Sequence, residues 1–115
     1  MTSESTWDES IVLDVAHLDG YTGGDTELAR EVLKIFIDNA PSYLADLGDA
    51  DCQSWRSSAH KLKGAARGIG AWRLARAAER AEFLGEPAAN DDRRVAILKE
   101  MSARLEQLKE RIQSF

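Results

Sequence analysis

Apolar residues recur every three or four positions along most of this chain, and no stretch shows sustained alternation with a period of two. The first pattern is typical of helices that bury one face, whereas the second is typical of half-buried strands. Each predicted helix therefore carries one apolar stripe that must pack against other helices. The pattern predicts an all-α fold, an antiparallel four-helix bundle with a short N-terminal helical extension.

Glycine, proline and aspartate mark the predicted helix ends in the first half of the chain. Residues 1–10 should be loosely ordered, and residues 11–18 should form a short helix or lead-in segment. A long helix is predicted with Asp25 as its N-cap and Gly48 at its end. Its apolar positions are Leu28, Val32, Ile35, Phe36, Ala40, Tyr43, Leu44 and Leu47. Pro41 should bend this helix or restart it, because proline lacks the backbone N–H.

Three further helices are predicted in the second half. One spans residues 51–69 and stops at Gly70, and the next spans residues 71–84. The last opens near residue 90 and carries a packing seam made of Leu98, Met101, Leu105, Leu108 and Ile112. A chain of 115 residues fits a single domain over residues 1–115.

Composition narrows the class of protein. With 43% hydrophobic residues the chain can form a core. Its apolar runs are far shorter than the roughly 20 residues that span a bilayer. The polar N-terminus does not resemble a secretory signal, and the single Cys52 cannot form an internal disulfide. We therefore expect a cytoplasmic protein that does not enter a membrane.

The charges are segregated along the chain. Residues 1–51 hold twelve acids against two bases, a balance of −10, whereas residues 56–80 hold seven bases against one acid, a balance of +6. The net charge of −5 argues against nonspecific binding to nucleic acid. The basic zone predicts either an acidic partner that docks there or a solvated face that balances neighbouring acidic helices.

His60 lies on the polar side of its predicted helix. At about 100° per residue, Arg56, Lys63, Gly64 and Arg67 fall within roughly 60° of it. The opposite side is apolar and consists of Trp55, Ala59, Leu62, Ala66 and Ile69. The histidine should therefore be exposed to solvent, with basic side chains one turn away on either side.

This face suits a side chain that carries a phosphoryl group. A free imidazole, with a pKa of about 6.5, is largely neutral at pH 7 and can attack phosphorus. The Cβ atoms of Lys63 and His60 should be about 5–6 Å apart, so the ammonium can reach phosphoryl oxygens. Gly64 leaves the approach to the imidazole open, or alternatively lets another helix pack closely.

The segment Ala59-His60-Lys61-Leu62-Lys63-Gly64-Ala65-Ala66, followed by Ile69-Gly70-Ala71 and Leu74, resembles the signature of histidine-containing phosphotransfer (HPt) domains. Gly24-Asp25, Glu27-Leu28 and Phe36 resemble that family's second helix. The resemblance extends over about residues 11–112, and the His-x-x-Lys-Gly core is its specific part.

The resemblance implies a four-helix bundle in which His60 accepts a phosphoryl group from the aspartate of a receiver domain and passes it to another receiver. It implies that Lys63 stabilises the phosphate and that Gly64 gives steric access. Glu82 matches the position from which a glutamine or glutamate orients the histidine ring. Arg67 is a candidate contact to phosphate or partner.

The same resemblance implies the partners and cofactors. The partners are response-regulator receiver domains and a hybrid sensor histidine kinase, and Mg²⁺ is expected on the receiver. No cofactor or metal is expected on the protein itself. Because the chain has no room for an ATP-binding domain and no Gly-x-x-x-x-Gly-Lys loop, we expect a phosphocarrier without autokinase activity. Because a complete four-helix core needs no partner, we expect a monomer.

Three alternative functions compete. A metal-bridged bundle enzyme is disfavoured, since no Glu-x-x-His pair occurs at His17 or His60. A helix-turn-helix DNA-binding protein would place the arginines after Trp72 on DNA. A helical docking module without chemistry would not need His60 at all.

Overall fold

The computed structural model describes residues 4–115, and within this range the chain forms five helices and no strand. The helices are α1 (Val15–Thr22), α2 (Thr26–Asp49), α3 (Cys52–Ile69), α4 (Trp72–Phe83) and α5 (Asp92–Gln113). Helices α2 to α5 contact one another in chain order, and α5 closes the ring against α2. The predicted all-α bundle is confirmed, with α1 as an N-terminal extension packed on α2 and α3.

Aspartate side chains cap four of the five helices. Asp14, Asp25, Asp51 and Asp91 each accept a hydrogen bond from a backbone amide two or three residues further on, at distances between 2.8 and 3.1 Å. Each bond satisfies one of the amides that the first turn of a helix leaves unpaired. The predicted cap at Asp25 and the predicted starts of α3 and α5 are therefore confirmed.

The first helix lies four residues later than predicted. It spans Val15–Thr22 rather than residues 11–18, because the Asp14 carboxylate accepts from the amide of His17 and fixes the start there. Gly23, with φ of 65° in the left-handed region, ends it.

Helix α2 runs without interruption across Pro41, so the restart allowed for at that residue does not occur. Pro41 is exposed, and water can satisfy the carbonyl that its missing N–H leaves unpaired. The buried stripe consists of Ala29, Leu33, Phe36, Ala40 and Leu47. Leu28 and Ile35 are 43% and 62% exposed, so their assignment to the apolar stripe was wrong.

The buried face of α3 is the predicted one, made of Trp55, Ala59, Leu62, Ala66 and Ile69. Helix α4 meets it with small side chains that allow a close approach, including Ala75, Ala77, Ala78 and Ala81. The indole Nε1 of Trp55 donates to the carbonyl of Ala81 at 2.7 Å. This bond helps to fix the relative position of the two helices that carry the candidate site.

Arg94 is a structural residue that the sequence did not point to. It is 2% exposed, and its guanidinium lies over the Trp55 ring, 4.6 Å from the centroid. Its Nη2 donates to the carbonyls of Leu47 and Gly48 at 3.3 Å and of Ala50 at 2.6 Å. Because carbonyls at a helix C-terminus lack helical partners, Arg94 caps α2 from α5.

Residues 1–3 of the segment expected to be loosely ordered lie outside the described residues. Residues 4–10 contain no helix or strand, but they contact α4. The Trp7 ring stacks on Trp72 with 5.6 Å between centroids. The backbone carbonyl of Glu9 accepts from Nε of Arg73 at 2.8 Å. The segment therefore forms a strap across α4.

The first turn of α4 depends on this part of the chain. Its N-cap, Ala71, makes no side-chain hydrogen bond. The backbone amide of Arg73 donates instead to the carbonyl of Ile11 at 3.0 Å, and the indole of Trp72 donates to Asp14 at 2.8 Å. The start of α4 is thus capped by residues distant in sequence.

Candidate functional site

His60 lies near the middle of α3, on the side opposite the buried face. Its side chain is 66% exposed. The exposed position follows from the helical geometry that buries Ala59 and Leu62, since these neighbours point into the bundle. The imidazole is thus open to another protein.

Glu82, from the last turn of α4, holds both His60 and Lys63. Its Oε1 lies 2.9 Å from Nδ1 of His60, and its Oε2 lies 2.6 Å from Nζ of Lys63. The Glu82 side chain is only 13% exposed. The structure therefore brings together three of the residues singled out in the sequence, from two helices.

Two opposing effects act on the pKa of Glu82. Burial raises this pKa, but the contacts and positive charges of Lys63 and His60 together hold it below its ordinary value. The carboxylate is consequently ionised at neutral pH and acts only as an acceptor. In a neutral ring His60 must then carry its proton on Nδ1, and Nε2 keeps its lone pair.

Lys63 occupies a different environment from the one its spacing suggests. Its side chain is 17% exposed, and its ammonium pairs with the Glu82 carboxylate. The ammonium was expected to face the phosphoryl group directly. In the structure it offsets the charge of Glu82, a contact between helices that the i, i+3 spacing from His60 does not reveal.

Gly64 is exposed one turn after His60, and a Cβ at this position would meet no atom within 4 Å. Close packing of another helix of this chain therefore does not explain the glycine. Gly68, one turn further along α3, has the same open surroundings. Two exposed positions of α3 that follow His60 therefore carry no side chain.

The basic zone of residues 56–80 divides into two parts. Two arginines of α4 are paired with acids within the chain: Arg76 pairs with Glu4, Glu79 and Glu9, and Arg80 pairs with Glu9 and Glu100. At these two arginines the second of the two alternatives holds, because they already balance acidic side chains of the chain itself. The same pairing leaves the helix-turn-helix alternative without free arginines at Arg76 and Arg80.

The α3 half of the zone remains available. Arg56 and Arg67 are exposed and make no ion pair with any residue in the range 4–115. Arg56 lines an open cleft of about 420 Å³ together with Gln53, Ser57, His60 and Glu82. Arg67 lies two turns beyond His60 and does not line this cleft.

Other possible sites are poorly supported. His17 is exposed and packs edge-on against the Trp72 ring, with 4.9 Å between centroids. Over residues 4–115, histidine, cysteine and carboxylate side chains form no group of three or more that could bind a metal ion. None of the helices in this range has the length and hydropathy needed to cross a bilayer.

A four-helix bundle with a solvent-exposed histidine whose Nδ1 contacts a carboxylate has the form of a phosphoryl carrier. Comparison with known families identifies the class: the Hpt domain model matches residues 31–114, well over half of the chain. The chain belongs to the Hpt domain family, whose members take part in histidine phosphotransfer in phosphorelays. The resemblance read from the sequence is thereby confirmed. Neither a curated protein nor a solved structure matches the chain.

Proposed function

We propose that this protein accepts a phosphoryl group on His60 from the aspartyl phosphate of one receiver domain and passes it to the aspartate of another. The observation that carries the proposal is the state of the imidazole. Nδ1 is engaged by Glu82 at 2.9 Å, whereas Nε2 makes no hydrogen bond within residues 4–115. The ring is therefore oriented, and its reactive nitrogen is free.

The transfer step follows from this geometry. The lone pair of Nε2 attacks the phosphorus of the acyl phosphate, so that an N–P bond forms while the P–O bond to the aspartate breaks. The electron pair of the broken bond leaves on the aspartate carboxylate. The Nδ1 proton stays on the ring, where the ionised Glu82 stabilises the positive charge that develops. The reverse reaction delivers the phosphoryl group to the second receiver.

The neighbouring residues have supporting roles in this proposal. Gly64 lets the receiver approach Nε2, because no side chain projects from α3 at this position, one turn after His60. Lys63 stabilises the phosphorylated state by neutralising Glu82, whose carboxylate would otherwise repel the phosphoryl oxygens. Arg67 is assigned to contact with the partner, since it is exposed and without an ion pair among the described residues.

The expected partners are response-regulator receiver domains and a hybrid sensor histidine kinase, with Mg²⁺ held by the receiver. We propose that the protein acts in the cytoplasm as a monomer and as one domain. The lone Cys52 suits a reducing compartment. The closed ring of α2 to α5 supports the monomer, because the bundle completes its own core.

Label transfer tests the proposal. The protein is incubated with each of several receiver domains carrying labelled aspartyl phosphate. We expect acid-labile, base-stable label on the wild-type protein and none on His60→Gln, which should retain its helicity. Label on His60→Gln, or no transfer from any receiver at micromolar concentrations, would contradict the proposal.

A further inference from the structure

We infer that Arg56, rather than Lys63, directly contacts the phosphoryl group once His60 is phosphorylated, an inference that rests on the function proposed above. Arg56 precedes His60 by four residues on α3, so their Cβ atoms are about 5–6 Å apart on one face of the helix. The two side chains line the same open cleft of about 420 Å³.

The first argument concerns Lys63. Its ammonium lies 2.6 Å from Glu82, and the two side chains are 17% and 13% exposed. If Lys63 moved to a phosphoryl group on Nε2, it would leave a mostly buried carboxylate without its nearest cation. Removing one partner of a sheltered ion pair is costly, so Lys63 should stay on Glu82 in the phosphorylated protein.

The second argument concerns Arg56 itself. The residue is exposed and has no acidic partner within residues 4–115, so it can move without breaking an existing ion pair. A guanidinium presents several N–H donors in one plane, which match phosphate oxygens in a bidentate contact. Gln53 and Ser57 also line the cleft, and neither carries a charge that would compete for the guanidinium.

The third argument concerns charge. Phosphorylation adds about two negative charges near the Glu82 carboxylate, by analogy with other phosphorylated residues. Lys63 already offsets the charge of Glu82, so the phosphoryl group needs a further cation. Among the exposed cations of α3, Arg56 lines the cleft that His60 faces, whereas Lys61 lies over the Tyr43 ring and Arg67 lies outside that cleft.

The test compares Arg56→Gln with Lys61→Gln, which removes one positive charge from the same helix at a residue that lies over the Tyr43 ring, outside the cleft. Each protein is phosphorylated by a labelled receiver, separated from it, and followed by ³¹P NMR. We expect Arg56→Gln to shorten the half-life of phosphohistidine about tenfold or more and to shift its ³¹P resonance. Lys61→Gln should change the half-life less than about threefold, whereas Arg56→Lys should restore part of the half-life lost in Arg56→Gln.

The outcomes separate the two claims. Equal half-lives for Arg56→Gln and Lys61→Gln would overturn the role of Arg56, whereas label on the wild type would still support the phosphotransfer function. A wild type that accepts no label from any receiver would instead overturn the phosphotransfer function. Circular dichroism of each variant checks that the fold is retained. We expect no loss of helicity, because neither side chain contributes to the core.

Discussion

Replacing Gly64 by alanine should make the protein more stable and less active. Gly64 lies inside α3, has a negative φ, and would place a new Cβ in open space. Alanine therefore fits without strain. Since an interior helical glycine costs about 0.8–1 kcal/mol relative to alanine, the free energy of unfolding should rise by that amount. The melting temperature should rise by about 5 °C.

The loss of activity has a separate cause. The same methyl group would project beside His60, where the receiver must approach to within bonding distance of Nε2. An extra methyl group in a close-packed contact costs about 1–3 kcal/mol, so phosphoryl transfer should slow by roughly 5- to 150-fold. Thermal unfolding and label transfer, measured on the same preparation, give the two quantities.

Gly68→Ala is the matched control. It also lies in α3 with open surroundings, but it is two turns from His60, so it should not be destabilising and should slow transfer much less. A decrease in stability at Gly64→Ala would refute the open environment of this glycine. Unchanged transfer in both Gly64→Ala and the larger Gly64→Gln would show that no partner approaches over this face.

Three further predictions follow from other contacts. Arg94→Met should lower the free energy of unfolding by about 2–3 kcal/mol in urea titrations, because it removes charged hydrogen bonds to carbonyls at the end of α2; a loss well under 1 kcal/mol would contradict that role. Glu82→Gln should be less stable than wild type at neutral pH. Because the folded-state pKa of Glu82 lies below its ordinary value of 4.5, the ionised carboxylate stabilises the fold above pH 4.5, and this stabilisation is lost as the pH falls through the folded-state pKa. A difference in stability between wild type and Glu82→Gln that persists in strong acid would refute this. Glu9→Gln should destabilise by about 1 kcal/mol at low salt and less at 1 M salt, since Glu9 pairs with three arginines; no dependence on salt would speak against these pairs.

Much of the fold could be predicted because it depends on local rules. Aspartate caps, glycine stops and the apolar stripe of α3 are each set within a few residues of sequence. The exposed position of His60 followed from the same helical geometry. The start of α1 was misplaced although its signal is also local: the prediction followed the apolar run from residue 11 and did not use Asp14 as an N-cap.

The features that were missed depend on contacts between distant segments. Sequence spacing placed Lys63 beside His60, but the pairing of Lys63 with Glu82 requires α3 and α4 to be packed together. The neutralisation of Arg76 by Glu4 joins residues 72 positions apart. Burial of Arg94 depends on the ring of Trp55 and on the end of α2. None of these has a local signal.

The contacts at the start of α4 determine how far the N-terminal part of the chain can be shortened. The backbone amide of Arg73 donates to the carbonyl of Ile11. Ile11 lies twenty positions before residue 31, where the match to the family begins. A recombinant fragment trimmed to residues 31–114 would retain His60 and Gly64 but would lose that acceptor and the Asp14 partner of Trp72. The helix that supplies Glu82 would then fray from its first turn. We therefore expect the shortest fragment that folds on its own to be longer than the span that matches the family.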